Sequence, residues 1–181
     1  MDEKVVVVTG ASGLLGSKFC EIIIEYGGHP VLVDIDEEGS RILADSLEKK
    51  YSTSIQVFNI DITDETAVED SANKLMQIYG KIDALVNNAA NNPKIEASNE
   101  HNFSRLERFS LDNWDKDIAV GLTGAFICAK HFGNKISANS SGGSIINIAS
   151  DLGLIAPNQM LYKKDGLSRD EQPVKPVTYS V

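Results

Sequence analysis

Short apolar runs alternate with amphipathic stretches along the whole chain. The runs are short enough for buried strands, and the stretches between them carry apolar side chains at helical spacing. The predicted strands cover residues 5–8, 31–34, 55–60, 82–86 and 144–150. Repeated strand–helix units of this length predict an α/β fold with a parallel sheet that is covered by helices on both faces. Right-handed crossovers then predict the strand order 3-2-1-4-5.

Capping residues predict where the helices begin and end. Asp36 is expected to cap a helix over residues 37–50, and Gly80 is expected to end a helix that begins near residue 63. Ser110 is the predicted cap of a long helix, whose inner stripe is expected to be Trp114, Ile118, Leu122, Phe126 and Ala129. The polar stretch 91–108 predicts a surface loop.

The turn after the first strand contains three glycines, Gly10, Gly13 and Gly16, and a helical pattern follows it directly. Glycines let the backbone approach phosphates, and the free N–H groups of a helix start attract an anion, so this order is typical of a pyrophosphate site. Asp34 ends the second strand, 24 positions after Gly10, where a carboxylate can accept hydrogen bonds from a ribose. The pattern therefore predicts a doubly wound, Rossmann-type dinucleotide domain. A βαβ unit without a ligand is the alternative.

The remaining strand ends also carry polar or small residues. Ligands of open parallel sheets bind outside the carboxyl ends of the strands, so these residues are expected to face one crevice. A simple helix cap is the alternative for any single acid. The residues concerned are Asp61 and Ile62, then Asn88, Ala89 and Ala90, and finally Ser150.

Composition narrows the class of protein. A formal net charge of −9 over 181 residues argues against a nucleic acid or an anionic membrane as partner, because both need a basic face. The N-terminus has no signal-peptide pattern, and no apolar run is long enough to span a bilayer. Cys20 and Cys128 are isolated, which favours buried thiols in a reducing cytoplasm. The three histidines share no ligand spacing, so no metal is expected.

With these motifs the chain resembles the short-chain dehydrogenases/reductases over its whole length. The resemblance rests on residues 9–16, Asp34, 61–62, 87–90, the helix from Trp114 to Gly124, residues 143–150 and Tyr179. It implies a nicotinamide cofactor and hydride transfer to or from a carbonyl or alcohol carbon of a small-molecule substrate. Ser150 would hydrogen-bond the substrate oxygen, and Tyr179 would be the general acid/base. A homo-oligomer is implied for a complete member.

The same resemblance assigns the cofactor contacts. Asp34 has no Arg or Lys beside it and Ser12 is uncharged, so NAD is expected rather than NADP, whose ribose phosphate would meet a carboxylate. The implied cofactor residues are Gly10, Ser12, Gly13, Leu15, Gly16, Asp34, Asp61, Ile62, Asn88, Ala89 and Ala90.

The chain departs from the family pattern around the tyrosine. In the family a lysine follows the tyrosine by four positions, but Gly166 stands four positions after Tyr162, and the chain stops at Val181, two positions after Tyr179. We favour Tyr179 over Tyr162 and treat residues 157–176 as a solvated insertion in the substrate loop. Residues 1–181 are then expected to form one C-terminally incomplete domain, weakly active and with an exposed apolar edge at its fifth strand.

Two further departures leave alternatives open. Gly121 stands where the family often has an asparagine of a proton relay. The spacing Gly10-x-x-Gly13-x-x-Gly16 resembles the sugar-nucleotide epimerase/dehydratase branch, whereas residues 87–90 and 143–150 resemble the simple dehydrogenase branch. Members linked to surface-sugar or flagellin-sugar biosynthesis are similar, which suggests a sugar-derived substrate. The alternatives are an epimerase or dehydratase with tightly bound NAD, and a non-catalytic NAD-binding Rossmann protein.

Overall fold

A parallel sheet of five strands organises the fold. The structure, a computed structural model, describes residues 1–91 and 104–180. Within these ranges the strands are β1 (Val5–Thr9), β2 (His29–Asp34), β3 (Gln56–Asn59), β4 (Ala84–Asn87) and β5 (Ser144–Asn147). Every neighbouring pair is parallel, and the order is β3-β2-β1-β4-β5. The predicted strand order and fold class are confirmed.

The helices begin and end close to the predicted positions. They are α1 (Leu14–Glu25), α2 (Glu37–Tyr51), α3 (Glu65–Tyr79), α4 (Leu111–Ile118), a π-helical segment (Ala119–Gly124) and α5 (Ala125–Ser137). Asp36 caps α2 by accepting from the Gly39 N–H at 3.0 Å, and Ser110 caps α4 by accepting from the Asn113 N–H at 3.1 Å. Gly80 ends α3 with φ of 71°. These three capping predictions are confirmed.

The chain forms two compact units. The first contains Met1–Ala90 and Val120–Ile148, and therefore the whole sheet with α1, α2, α3 and α5. The described part of the second is residues 91, 104–119 and 149–180, with α4 and short 3₁₀ turns. Those turns are Leu106–Arg108, Asp151–Gly153, Gln159–Tyr162, Arg169–Glu171 and Val177–Ser180. The assignment of residues 1–181 to one domain stays a prediction.

The core of the first unit lies on both faces of the sheet. Val5 and Val7 of β1 belong to one buried cluster with residues of α3 and α5. Val6 and Val8 belong to the other, with residues of α1 and α2. Because β1 is buried on both faces, its sequence is a continuous apolar run rather than an alternating one. This covering by helices is what fixes the carboxyl ends of the strands in place.

The two cysteines are core residues of these clusters. Cys20 lies in one cluster and Cys128 in the other, and both are free thiols. Burial raises the pKa of each thiol to about 12. The prediction of buried free thiols is confirmed, and both residues serve packing rather than chemistry. Along the described ranges, no helix combines the length and hydropathy that a bilayer crossing requires.

The predicted inner stripe of the long helix is wrong at two of its five positions, whereas Ala129 packs against the core as predicted. Leu122 and Phe126 are largely exposed, and the residues of α5 that enter the core are Ile127, Cys128, Phe132 and Ile136. The four-residue steps from Trp114 to Phe126 rotate the stripe by about 120° around a regular helix, which moves Phe126 off the face of Trp114. A stripe built from repeated four-residue steps therefore leaves the core face within a few turns. The π-helical segment Ala119–Gly124 lies in the same stretch of chain.

The sheet ends at an apolar strand. Ile145 and Ile146 of β5 are 42% and 49% exposed. In parallel sheets both faces of a strand are normally covered by helices, so this exposure is unusual. β5 pairs with β4 on one side, and among the described residues it pairs with no strand on the other. The expected exposed apolar edge is confirmed.

The observed burial of α5 predicts that two of its phenylalanines contribute very differently to stability. Phe132→Ala should lower the free energy of unfolding by about 3–5 kcal/mol, because Phe132 is fully buried in the core. Phe126→Ala is the matched control and should change it by no more than about 0.5 kcal/mol, since Phe126 is 65% exposed. Urea unfolding followed by circular dichroism measures both. Equal losses of stability in the two variants would contradict the placement of Phe132 in the core and Phe126 on the surface.

Candidate functional site

The glycine turn of the first unit brings β1 and the end of β4 into close contact. Gly10 has φ of 62°, and a Cβ there would lie 2.8 Å from the Cα of Ala89. A Cβ on Gly16 would overlap the carbonyl oxygen of Gly10. Any side chain at Gly10 or Gly16 would therefore collide with the backbone. At Gly10 the positive φ disfavours other residues as well.

Helix α1 begins at this turn without a side-chain cap. Its N-cap is Gly13, and the first intrahelical bond runs from the Ser17 N–H to the Gly13 carbonyl at 3.0 Å. The N–H groups of Leu14 and Leu15 precede that bond and have no acceptor within the helix, and both residues are exposed. Free N–H groups at the positive end of a helix dipole fit a pyrophosphate.

Asp34 at the end of β2 is tied directly to the glycine turn. Its Oδ2 accepts hydrogen bonds from the Ser12 N–H at 2.8 Å and from the Ser12 hydroxyl at 2.7 Å. Its Oδ1 accepts from the Asp36 N–H at 3.0 Å. The carboxylate is buried, and no basic side chain in the described residues bonds to it. A ribose hydroxyl fits this acceptor, because Oδ1 accepts only one hydrogen bond and keeps a lone pair for a further donor.

Two polar side chains that the sequence analysis did not assign join the neighbouring strand ends. The Thr9 hydroxyl accepts from the N–H groups of Asn88 and Ala89, each at 3.0 Å. The Asn59 amide donates to the carbonyls of Asp34 and Ile35 at 3.1 and 2.9 Å. A threonine or asparagine at the last position of a strand, beside the predicted crevice, is the signal that could have indicated them.

The other predicted cofactor residues lie on the same rim of the sheet. The Asn88 amide donates to the carbonyls of Thr9 and Gly10, both at 3.0 Å, so its nitrogen is committed to structure. Asp61 accepts from the N–H and the hydroxyl of Thr63 at 2.8 Å each, and Ile62 is a core residue. All eleven predicted cofactor residues belong to the first unit and follow the carboxyl ends of β1 to β4.

Both predicted catalytic residues belong to the second unit. The Ser150 hydroxyl donates to Asp151 at 3.1 Å and accepts from the Leu152 N–H at 3.2 Å, which caps the turn Asp151–Gly153. Tyr179 lies in the turn Val177–Ser180, which packs against Asp151–Gly153 and against α4. The structure thus brings together the segments that carry Ser150 and Tyr179. Tyr162 lies in a different turn, Gln159–Tyr162.

A lysine lies against Tyr179, but it precedes the tyrosine in the sequence, whereas the lysine of the family pattern follows it. The Nζ atom of Lys175 is 3.5 Å from the centroid of the Tyr179 ring, and Lys175 stands four positions before the tyrosine. This distance is within the range of a cation–π interaction. The sequence analysis looked for the cation only after the tyrosine.

The segment 157–176 is more ordered than the predicted solvated insertion. The Gln172 side chain accepts from the Lys164 N–H at 2.8 Å and donates to the carbonyls of Lys164 and Leu167 at 2.9 and 2.8 Å. Pro173 and Pro176 are buried. Composition does not reveal these hydrogen bonds of Gln172, because a charged, proline-bearing stretch has the same composition whether or not it packs. Most of the predicted surface loop, residues 92–103, lies outside the described residues.

Gly121 lies within the π-helical segment. Outside its chain neighbours and the backbone of its own helix, a Cβ at Gly121 would meet no atom of the described residues within 4 Å, so the position has room for a Cβ.

The comparison with protein families decides the class of this site. The family model described as short chain dehydrogenase matches residues 4–163, which include the glycine turn, Asp34 and Ser150. The chain belongs to the short-chain dehydrogenase family.

Curated relatives of the family are similar over most of this chain. An uncharacterized oxidoreductase of Thermotoga maritima is 33% identical over 150 residues, which is 83% of this chain and 54% of the relative. D-threitol dehydrogenase of Mycolicibacterium smegmatis is 29% identical over 88% of this chain and 57% of its own. NAD-dependent glycerol dehydrogenase of Listeria innocua is 31% identical over 85% and 55%. The chain thus spans little more than half the length of these relatives.

Solved structures share the fold. NAD⁺-bound xylitol dehydrogenase matches with a TM-score of 0.79 at 24% identity, covering 99% of this chain and 59% of that one. A short-chain type dehydrogenase/reductase from Mycobacterium marinum matches with a TM-score of 0.79 at 20% identity, covering 99% and 63%. At these identities the likeness establishes the fold alone.

The steric account of the glycine turn predicts opposite effects at two glycines. Gly16→Ala should lower the free energy of unfolding by about 1–3 kcal/mol, because the new methyl group overlaps the Gly10 carbonyl. Gly121→Ala should raise it by up to about 1 kcal/mol, since alanine favours a helix and the space is open. Urea unfolding measures both changes. A neutral Gly16→Ala variant would contradict the close approach at the turn.

Proposed function

We propose that the protein is an NAD-dependent oxidoreductase that transfers a hydride between the nicotinamide and the alcohol or carbonyl carbon of a small substrate. The observation that carries this proposal is the Asp34 carboxylate, which is bonded to the backbone and hydroxyl of Ser12 in the glycine turn. The bond supports the proposal because it joins, within one compact unit, the carboxylate proposed to accept from the ribose and the helix start proposed to bind the phosphates.

The environment of Asp34 favours NAD over NADP. NADP carries a phosphate group on its adenosine ribose, which would lie next to the buried carboxylate of Asp34. A phosphorylated side chain carries a charge of about −1.5 to −2, and the ribose phosphate is comparable. Like charges in a partly desolvated place repel strongly. Both the glycerol dehydrogenase of Listeria innocua and the solved xylitol dehydrogenase are named as using or binding NAD, which supports the same choice.

A small polyhydric alcohol, or the matching carbonyl compound, is the proposed substrate class. The names of three similar proteins contain D-threitol, glycerol and xylitol, which are acyclic polyols. A sugar-derived substrate belongs to the same chemical class of polyhydroxylated molecules. Homo-oligomerisation and a cytoplasmic location stay predictions from the sequence.

The proposed chemistry assigns different tasks to Ser150 and Tyr179. In the oxidation direction the phenolate form of Tyr179 accepts the proton of the substrate hydroxyl and becomes a neutral phenol, and Ser150 donates a hydrogen bond to the same oxygen. The bound nicotinamide supplies the hydride acceptor. The Ser150 hydroxyl donates to Asp151 in this structure, so binding of substrate exchanges that bond for one to the substrate oxygen.

A second candidate is a sugar-nucleotide epimerase or dehydratase, which the spacing of Gly10, Gly13 and Gly16 favours. Such an enzyme regenerates its NAD in every cycle. Stoichiometric formation of NADH from NAD⁺ and a polyol supports the oxidoreductase, whereas cofactor that co-purifies and is never consumed supports the epimerase or dehydratase. Binding of NADH without any turnover would instead support a non-catalytic NAD-binding protein.

The assignment of the general base predicts the effect of removing one hydroxyl. In the protein as its own cell produces it, Tyr179→Phe should reduce turnover by at least about a hundredfold, because the proton acceptor is lost. NADH binding, measured by fluorescence, should stay near that of the unmodified protein. Tyr162→Phe is the control and should keep its turnover. The reverse result, with turnover lost only in Tyr162→Phe, would move the general base to Tyr162.

The role of Asp34 predicts a change in cofactor preference. Asp34→Ala should weaken NAD⁺ binding by about ten- to a hundredfold, the equivalent of one or two hydrogen bonds to a charged group. The preference for NAD⁺ over NADP⁺ should narrow, because the repelling carboxylate is gone. Glu37→Ala removes a nearby exposed acid and is the matched control. Calorimetric titration with both cofactors measures the effect, and an unchanged preference would exclude Asp34 as the selecting group.

A further inference from the structure

One carboxylate of the second unit holds two segments that are far apart in the sequence. Asp117, near the end of α4, accepts from the Asn91 amide at 2.8 Å through Oδ1. Its Oδ2 accepts a short hydrogen bond from the Thr178 hydroxyl. The two donors lie 26 and 61 positions away along the chain. Neither contact follows from a sequence motif of the family that the chain resembles.

The contact to Thr178 acts next to the proposed general base. Thr178 directly precedes Tyr179, and both belong to the 3₁₀ turn Val177–Ser180. Turns of this length have poor hydrogen-bond geometry and little stability of their own. A hydrogen bond to a charged acceptor is stronger than one between neutral groups, so a side-chain anchor of this kind restrains the turn.

The same turn also borders the segment of the second proposed catalytic residue. Val177–Ser180 packs against α4, on which Asp117 lies, and against Asp151–Gly153, which Ser150 caps. The Tyr179 side chain is 39% exposed, so its own packing restrains it only in part. The bond from Thr178 to Asp117 is therefore a direct link between α4 and the backbone that aims the tyrosine.

We propose that Asp117 is a positioning residue that fixes the backbone of Tyr179 through Thr178. Its part in catalysis rests on the proposed function, because it needs Tyr179 to be the general acid/base. Asp117 does not touch the substrate in this account. Its loss misplaces the proton acceptor, which lowers the rate of the chemical step while the first unit continues to bind the cofactor.

The test uses four variants of the protein as its own cell produces it. Asp117→Ala removes the acceptor, and Thr178→Val removes the donor while keeping the branched shape. Thr178→Ser keeps a hydroxyl and is the rescue variant. Asp115→Ala removes an exposed acid of the same helix and is the matched control. Amide hydrogen–deuterium exchange of residues 177–179 reports the restraint directly, and steady-state oxidation of D-threitol, glycerol and xylitol with NAD⁺ reports catalysis.

Asp117→Ala and Thr178→Val should each accelerate exchange in residues 177–179 by at least about tenfold. They should lower kcat by a similar factor, with KM for NAD⁺ changed by less than about twofold. Thr178→Ser and Asp115→Ala should stay close to the unmodified protein in exchange. Unchanged exchange in the first two variants would overturn the proposal, and so would faster exchange with an unchanged kcat.

The two proposals fail in different ways. If the unmodified protein oxidises none of the three polyols, the proposed function loses its support, and the exchange data alone decide whether Asp117 holds the Tyr179 turn. If Asp117→Ala loses NAD⁺ binding together with kcat, the residue acts on the fold as a whole, and the positioning role is excluded.

Discussion

The candidate cofactor site depends on one buried carboxylate and the two groups of Ser12 that bind it. Asp34 carries a charge at the end of β2, and burying a charge is costly unless hydrogen bonds compensate it. Three donors do so here, two from Ser12 and one from the Asp36 N–H. The same bonds tie the glycine turn to the second strand. The interaction therefore fixes the distance between the start of α1 and the carboxylate of Asp34, the two groups proposed to bind the phosphates and the ribose.

Side-chain hydrogen bonds also connect the other neighbouring strand ends of the rim. Thr9 and Asn88 join β1 to the end of β4, and Asn59 joins β3 to the end of β2. Parallel strands place all of their carboxyl ends on one edge of the sheet, so hydrogen bonds between adjacent ends produce a continuous polar rim. A site preformed in this way loses little conformational freedom when a ligand binds. The helices on both faces supply the packing that keeps the edge in place.

Local patterns predicted the sheet, the helix caps and the cofactor rim, because each of these depends on residues that are close in sequence. Asp36, Gly80 and Ser110 show this for the caps. The misassigned face of Phe126 has a different origin, since repeated steps of four residues drift around a helix that has 3.6 residues per turn. The bond between Asp117 and Thr178 joins positions 61 residues apart, and no local pattern encodes such a pairing. Sequence reasoning thus named residues for the candidate site, whose roles stay predictions, and missed the contacts that hold those residues in place.

A crystal structure of the protein with NAD⁺ tests the central claim most directly, because that claim concerns which atoms meet the adenosine ribose. The account predicts that a ribose hydroxyl lies within hydrogen-bond distance of Asp34 Oδ1, with the pyrophosphate at the N–H groups of Leu14 and Leu15. The bonds from Ser12 to Asp34 should be retained in the complex. A ribose bound away from Asp34, or a carboxylate released from Ser12 on binding, would contradict the account.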